Sequence, residues 1–79
     1  MKQSKLVKAI ITKINKKYKG IKVYAKYSND GEGIDIIINN KQIFDSNYYA
    51  KFIFRNTVLD KESGKFINFL YEESKDDSN

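Results

Sequence analysis

Nine lysines fall within the first 29 residues, and no carboxylate accompanies them: Lys2, Lys5, Lys8, Lys13, Lys16, Lys17, Lys19, Lys22 and Lys26. The remaining 50 residues hold five lysines and Arg55 against ten carboxylates, so a stretch of +9 is followed by one of −4. Ammonium groups without local counter-ions attract polyanions, whatever the anion's sequence. Three readings stay open at this level. The lysines contact nucleic-acid phosphates, or they contact an acidic protein surface. Otherwise they form a solvated face partly neutralised by Glu72, Glu73, Asp76 and Asp77 folding back.

A second constellation is Lys22, Tyr24 and Lys26, which alternate along a short segment, with Ile37 and Phe44 as neighbours on the expected sheet. Sheets that bind single strands use such faces, with rings stacking on bases and lysines tracking the backbone. The plainer alternatives are a covered second core layer or an ordinary exposed strand. Arg55 is the only arginine; it could fork onto phosphate or carboxylate, although a lone arginine is more often a surface residue. The expected anion-binding set is therefore Lys5, Lys8, Lys13, Lys16, Lys17, Lys19, Lys22, Tyr24 and Lys26.

Catalytic chemistry has few carriers here. The chain contains no histidine and no cysteine, which removes the usual general bases, thiol nucleophiles and zinc ligands. Its serines and threonines have no imidazole to activate them. Gly31 and Gly33 make no phosphate loop, since no Lys-Ser/Thr pair follows on a helix. Asp30-Gly31-Glu32-Gly33-Ile34-Asp35 places carboxylates at alternate positions, as a calcium loop does. With Gly33 at the sharp turn, however, Ser28 would be the first ligand and Asn39 the last, where a carboxylate and a bidentate Glu are needed. The expectation is a non-enzymatic chain with no metal and no cofactor.

The elements that must position these residues follow from periodicity. Leu6, Val7, Ile10, Ile11, Ile14 and Tyr18 recur at i, i+3, i+4 and predict a helix over 4–19, capped by Ser4 and stopped by Gly20. At about 100° per residue the lysines spread over its opposite face. Like charges such as Lys13/Lys17 repel along it by a few tenths of a kcal/mol each. Ile21–Tyr27 and Ile34–Ile38 alternate as strands around the turn Asn29–Glu32. A four-residue loop pairs Tyr27 with Ile34, Ala25 with Ile36, Val23 with Ile38, and Lys26 with Asp35. Asn39-Asn40-Lys41 reads as a tight turn before a short return strand, Gln42–Asp45; alternatively the second strand runs on to Phe44.

Tyr48–Leu59 is rich in strand-favouring Tyr, Phe, Ile, Thr and Val. Asp60–Lys65 then reads as a hairpin loop with Gly64 left-handed, and Phe66–Tyr71 as the returning strand. A helical alternative places Ser46 as a cap with Tyr48, Tyr49, Phe52, Ile53 and Leu59 inward, and Phe66, Ile67, Leu70 and Tyr71 on a last helix. Phe54 and Val58 fall off the first of these stripes, which favours strands. The expected fold is thus α+β, an N-terminal amphipathic helix packed on an antiparallel meander (α-β-β-β-β), with α-β-β-β-α and C-terminal helices as the alternative.

At 79 residues the chain is one domain, expected over 1–73, followed by an acidic disordered tail over 74–79. Such a small domain buries only about 60% of the surface its unfolded form exposes, and it has no disulfide to help. The absence of cysteine, of an apolar signal core and of any long apolar run points to a soluble, cytoplasmic protein that does not enter a membrane. Lys, Ile, Asn, Tyr and Phe make up 44 of the residues. Their codons are rich in A and T, which accounts for lysine over arginine but not for the missing acids of the first third.

The order of basic helix, glycine-containing hairpin and short C-terminal elements, with Ile36-Ile37-Ile38-Asn39-Asn40 ending the second strand, resembles small phage-encoded anti-CRISPR inhibitors from low-GC Gram-positive hosts. The likeness covers residues 5–45. It implies an inhibitor of a nucleic-acid-loaded host defence complex. Several such inhibitors are acidic mimics of DNA, whereas this chain is basic; an inhibitor of this charge would grip the guide, the target or an acidic patch of the effector. The helix and meander also look like cystatin-type folds, a likeness of fold alone. The expected function is non-catalytic binding of nucleic acid or a nucleoprotein machine. The alternative is a protein–protein module or homodimer using Phe44, Phe54, Phe66 and Leu70.

Overall fold

Ser4 starts the first helix as its position predicts: its hydroxyl accepts the Val7 N–H at 3.2 Å and its carbonyl the Lys8 N–H at 3.0 Å. In the computed structural model, which describes residues 2–73, α1 spans Lys5–Lys17 and ends where Tyr18 turns extended, two residues before left-handed Gly20 at φ 84°. Val7, Ile10 and Ile14 are buried, while Leu6, Ile11 and Tyr18 pack half-buried beside them. The apolar stripe therefore faces the core, and the lysines face out.

β1 (Val23–Tyr27) and β2 (Gly33–Ile38) form the expected hairpin, with Tyr27 opposite Ile34, Lys26 opposite Asp35, Ala25 opposite Ile36 and Val23 opposite Ile38. The turn closes through the Ser28 N–H to the Gly33 carbonyl at 2.9 Å. Asp30 serves the turn itself, its Oδ1 accepting the Ser28 hydroxyl at 2.8 Å and the Glu32 N–H at 2.9 Å. These bonds, the Glu32 N–H first and the Ser28 hydroxyl next, hold its carboxyl below the usual range. Among the described residues no group of three carboxylates gathers to hold a metal ion.

The chain then departs from the antiparallel meander. Gln42–Asp45 is not a return strand: Lys41–Phe44 is a one-turn helix, α2, because the Asn40 side chain accepts the Ile43 N–H at 2.9 Å and caps it. Tyr48–Leu59 is not a strand either. Ser46 accepts the Tyr49 N–H at 3.3 Å and opens α3, Asn47–Asn56. The helix turns Tyr49, Phe52 and Ile53 toward the core and leaves Phe54 86% exposed. The strand expectation rests on giving Phe54 a buried place; the fold grants it none.

β3 (Leu59–Asp60) and β4 (Lys65–Tyr71) form the last hairpin, with Leu59 opposite Phe66 and Gly64 left-handed at φ 76°. Because α2 and α3 intervene, β4 returns beside β2 in parallel, from Gly33 opposite Phe66 to Ile38 opposite Tyr71. The result is α+β, an N-terminal helix and four strands, but the sheet is mixed in the order β1-β2-β4-β3. Gly33 permits the close parallel approach: a Cβ there would lie 2.7 Å from Asn68 Nδ2 and 3.1 Å from the Phe66 carbonyl oxygen. One face of the sheet carries the helices and the core of Ile34, Ile36, Ile38, Ile67 and Phe69, joined by Val7, Ile10, Ile14 and Tyr49. The expected acidic tail, residues 74–79, lies outside the described residues. Among the described residues no helix is long and apolar enough to cross a membrane.

The last hairpin also anchors α1. Asp60 is buried, accepts the Ser63 hydroxyl at 2.6 Å, and lies beside Ser4. Glu62 Oε1 accepts the Lys5 N–H at 3.1 Å, so two carboxylates meet the positive end of the helix dipole. The Ser63 hydroxyl above all, with Ser4 and backbone N–H groups of the loop, holds the Asp60 carboxyl below its usual range. A depressed carboxyl contributes stability in full above the unfolded value of about 3.9, and loses it as pH falls through the lower folded value. The melting temperature should therefore drop with pH below about 4. In Asp60→Ala the part of that drop due to this carboxyl should vanish, with about 1–3 kcal/mol lost at neutral pH as its donors are left unpaired. Unfolding in denaturant at pH 7 and pH 3 checks both; an unchanged midpoint in Asp60→Ala would detach the hairpin from α1.

Candidate nucleic-acid interface

All nine expected binding residues are exposed, but the fold divides them. Lys5, Lys8, Lys13, Lys16 and Lys17 lie exposed on α1, and Lys19 follows in the connection. Lys16 and Lys17 occupy its last turn, where the partly negative carbonyl end stabilises cations by about 0.3–1 kcal/mol each. Lys22, Tyr24 and Lys26 belong to β1 and the residue just before it. Tyr24 and Lys26 point to the sheet face that no helix covers.

That open face is less basic than its lysines suggest. The Tyr24 hydroxyl donates to Glu72 Oε1 at 2.5 Å, and Lys26 Nζ lies 3.5 Å from Glu72 Oε2. β2 lies between β1 and the end of β4, so the Tyr24–Glu72 bond crosses it, and Ile37 on that face is fully buried. The hydrogen bond to the carboxylate, more than burial, pushes the Tyr24 phenol up. Beside it Leu70 is 43% and Phe66 59% exposed. The face sets Ile37, Phe66 and Leu70 beside Asp35, Asn68 and the Lys26–Glu72 pair, and Glu72 meets Tyr24 and Lys26 there.

The helices bring together something different. α1 and α3 diverge at a groove of about 570 Å³, walled by Lys13, Lys16 and Lys17 from one side and Tyr48, Phe52 and Arg55 from the other, over a floor of Ile14 and Tyr18. A smaller hollow of about 240 Å³ adjoins it, where Lys51 joins Tyr48, Phe52 and Arg55. Among the described residues no carboxylate lines either. Among the described residues the ion pairs are Lys26–Glu72 and Lys41–Asp45, so the groove cations have no counter-ion there.

Aromatic contacts shape the groove. Lys17 Nζ sits 4.4 Å above the Tyr48 ring centroid, a cation–π contact that ties α1 to α3. Tyr18 meets Tyr48 edge-on at 6.4 Å and Tyr49 at 6.2 Å. Phe52 stacks on Tyr49 at 5.8 Å and meets Phe69 edge-on at 5.9 Å, so one side of its ring is core and the other is groove. Tyr49 itself is fully buried, its hydroxyl has no partner among the described residues, and desolvation pushes its ionisation far up.

Lys13, Lys16 and Lys17 are thus the part of the expected set that acts with other residues. Tyr48, Lys51, Phe52 and Arg55 stand outside that set. Their spacing is the available signal: 48, 51, 52 and 55 share one face of a helix. Reading the segment as a strand distributes them over two faces and hides the groove. No family model, no curated protein and no solved structure matches the chain.

Proposed function

We propose that this protein is a non-catalytic, cytoplasmic binder of nucleic acid, or of a protein machine loaded with it, and that α1 and its groove with α3 are the contact surface. The observation that carries the reading is the groove: four cations with no carboxylate among its described lining residues, and Tyr48 and Phe52 in the α3 wall. An acid-free cationic surface attracts polyanions at long range and holds them by releasing their counter-ions. The setting we favour is an inhibitor encoded by a phage or other mobile element, anti-CRISPR-like in action but gripping nucleic acid instead of imitating it.

The test is salt. Lys5, Lys8, Lys13, Lys16, Lys17 and Arg55 offer about four to six phosphate contacts, so log affinity should fall against log salt with a slope of about −3 to −5. Titrating labelled single- and double-stranded oligonucleotides from about 50 to 200 mM salt measures it. Absence of binding at the low end removes the nucleic-acid reading.

The second reading, a protein–protein module or homodimer, is favoured by the open sheet face, where Phe66 and Leu70 stand exposed on the same side of β4 with Asn68 between them. Phe44 does not join them, since it packs against Tyr49 and Tyr71 at 5.9 and 6.2 Å; Phe54 lies on α3. An association through this face would hold or tighten with salt instead of weakening.

A further inference from the structure

A duplex keeps its bases stacked inside and offers a protein a convex ridge of phosphates. The outward lysines of α1 suit such a ridge; the groove does not, because it is concave and its polar groups surround aromatic rings. We propose that the α1–α3 groove is a base-stacking subsite for single-stranded nucleic acid, taking one unstacked base against Tyr48 and Phe52 while Arg55 and Lys13 hold the flanking phosphates. This inference rests on the nucleic-acid reading above and narrows it to a strand type and a site.

Three features carry it. The first is size: about 570 Å³ lies within the range of about 300–1,000 Å³ of sites that enclose small organic groups. The second is Tyr48, which is 56% exposed although it stands among cations at the mouth of a groove. It packs perpendicular to Tyr18 and lies under Lys17, so the ring is oriented while more than half of the residue stays exposed. A fixed, exposed ring flanked by ammonium groups is what a base and its phosphate require together.

The third is Arg55. This chain has 14 lysines and one arginine, and the arginine borders both hollows. Its planar fork holds a phosphate through two parallel hydrogen bonds or lies flat on a base, neither of which an ammonium group does. The four cationic side chains on its walls repel a cationic occupant and favour an anionic one. The floor of Ile14 and the face of Phe52 are apolar, so the groove grips the flat face of a base and not its edge; every base has such a face, and the preference among bases is accordingly weak.

The experiment uses the full chain and three labelled probes of about 12 nucleotides, a length that covers one such site: oligothymidylate, an abasic strand with the same number of phosphates, and a duplex. A mononucleotide serves as the fourth ligand. Oligothymidylate should bind about five- to 150-fold tighter than the abasic strand, the equivalent of about 1–3 kcal/mol of stacking at about 1.4 kcal/mol per tenfold. Tyr48→Ala should erase that difference while leaving abasic binding and the salt slope as they were.

Equal binding of oligothymidylate and abasic strand, with the salt slope retained, overturns the stacking subsite and leaves the lysine surface standing. A duplex bound more tightly than oligothymidylate overturns it as well, and so does a mononucleotide bound as tightly as the strand. If no probe binds at about 50 mM salt, the reading beneath it falls first. The abasic comparison needs no substitution, so the outcome does not depend on how Tyr48→Ala folds.

Discussion

Ile10→Asp is expected to abolish the cooperative thermal transition, and Ile14→Asp to do the same. Each side chain is 1% exposed and sits where α1 meets the sheet. An isolated carboxylate at such a place costs several kcal/mol whether it stays charged or takes up a proton to become neutral. A chain of 79 residues has only about 4–12 kcal/mol to lose. Seven of the ten buried hydrophobic residues among those described are isoleucines, so the core holds no cation that could pair with the new charge. Lys8→Asp, on the exposed face of the same helix, is the control and should melt near the parent. Circular dichroism followed through heating reads all three. A cooperative melt of Ile10→Asp within a few degrees of the parent would mean that α1 does not pack by this face.

Where local chemistry decides the structure, the sequence is legible. The cap at Ser4, the stripe from Leu6 to Tyr18 and the stop at Gly20 define α1 within a few residues. The hairpin register follows from the turn length and from the need to place Ile34, Ile36 and Ile38 on one face, and each expected pair is present. The pairing of β2 with β4 is different, because no turn encodes it and its partners lie 33 residues apart along the chain. One local sign does exist. Ile36, Ile37 and Ile38 are apolar on both faces of the strand, the pattern of a strand buried between neighbours. Alternation alone puts Ile37 on an outer face, yet it is fully buried.

The site is legible in part for the same reason. A helix with an apolar stripe must show its other residues to water, so the exposure of the α1 lysines follows from periodicity alone. The groove requires the position of α3, and α3 is obscured by a composition that suits strands. Between residues 47 and 56 the β-favouring side chains yield to the Ser46 cap and to a helical face that buries Tyr49 against four rings. Propensity is a weak prior beside a cap and a packed face. Glu72 shows the converse limit: by charge alone it could neutralise the lysine helix, yet it follows β4 and so meets Tyr24 and Lys26.

Replacing Lys13, Lys16 and Lys17 together by Glu is expected to eliminate nucleic-acid binding while leaving the fold in place. The three line the groove wall on α1 and are exposed, so the core keeps all its packing. Acidic groups in the last turn oppose the helix dipole by about 0.3–1 kcal/mol each, and the cation–π pairing of Lys17 with Tyr48 disappears. Against this, the triple removes the like-charge repulsion of Lys13 with Lys16 and Lys17 and places carboxylates in a groove that Arg55 also lines. The melting temperature should shift by several degrees without loss of cooperativity. Reversing three charges removes three attractive groups and adds three repulsive ones, so binding at about 50 mM salt should disappear. The Gln triple separates charge from shape: it should still bind, but with a salt slope shallower by about two to three units, about one for each phosphate no longer neutralised. Titration of labelled oligonucleotides against both triples, each checked for a cooperative melt, makes the comparison. Affinity and slope equal to the parent's in the Gln triple would place the phosphate-binding groups elsewhere, with Lys5 and Lys8 on α1 and Lys19 in the connection after it as the cations left to carry them.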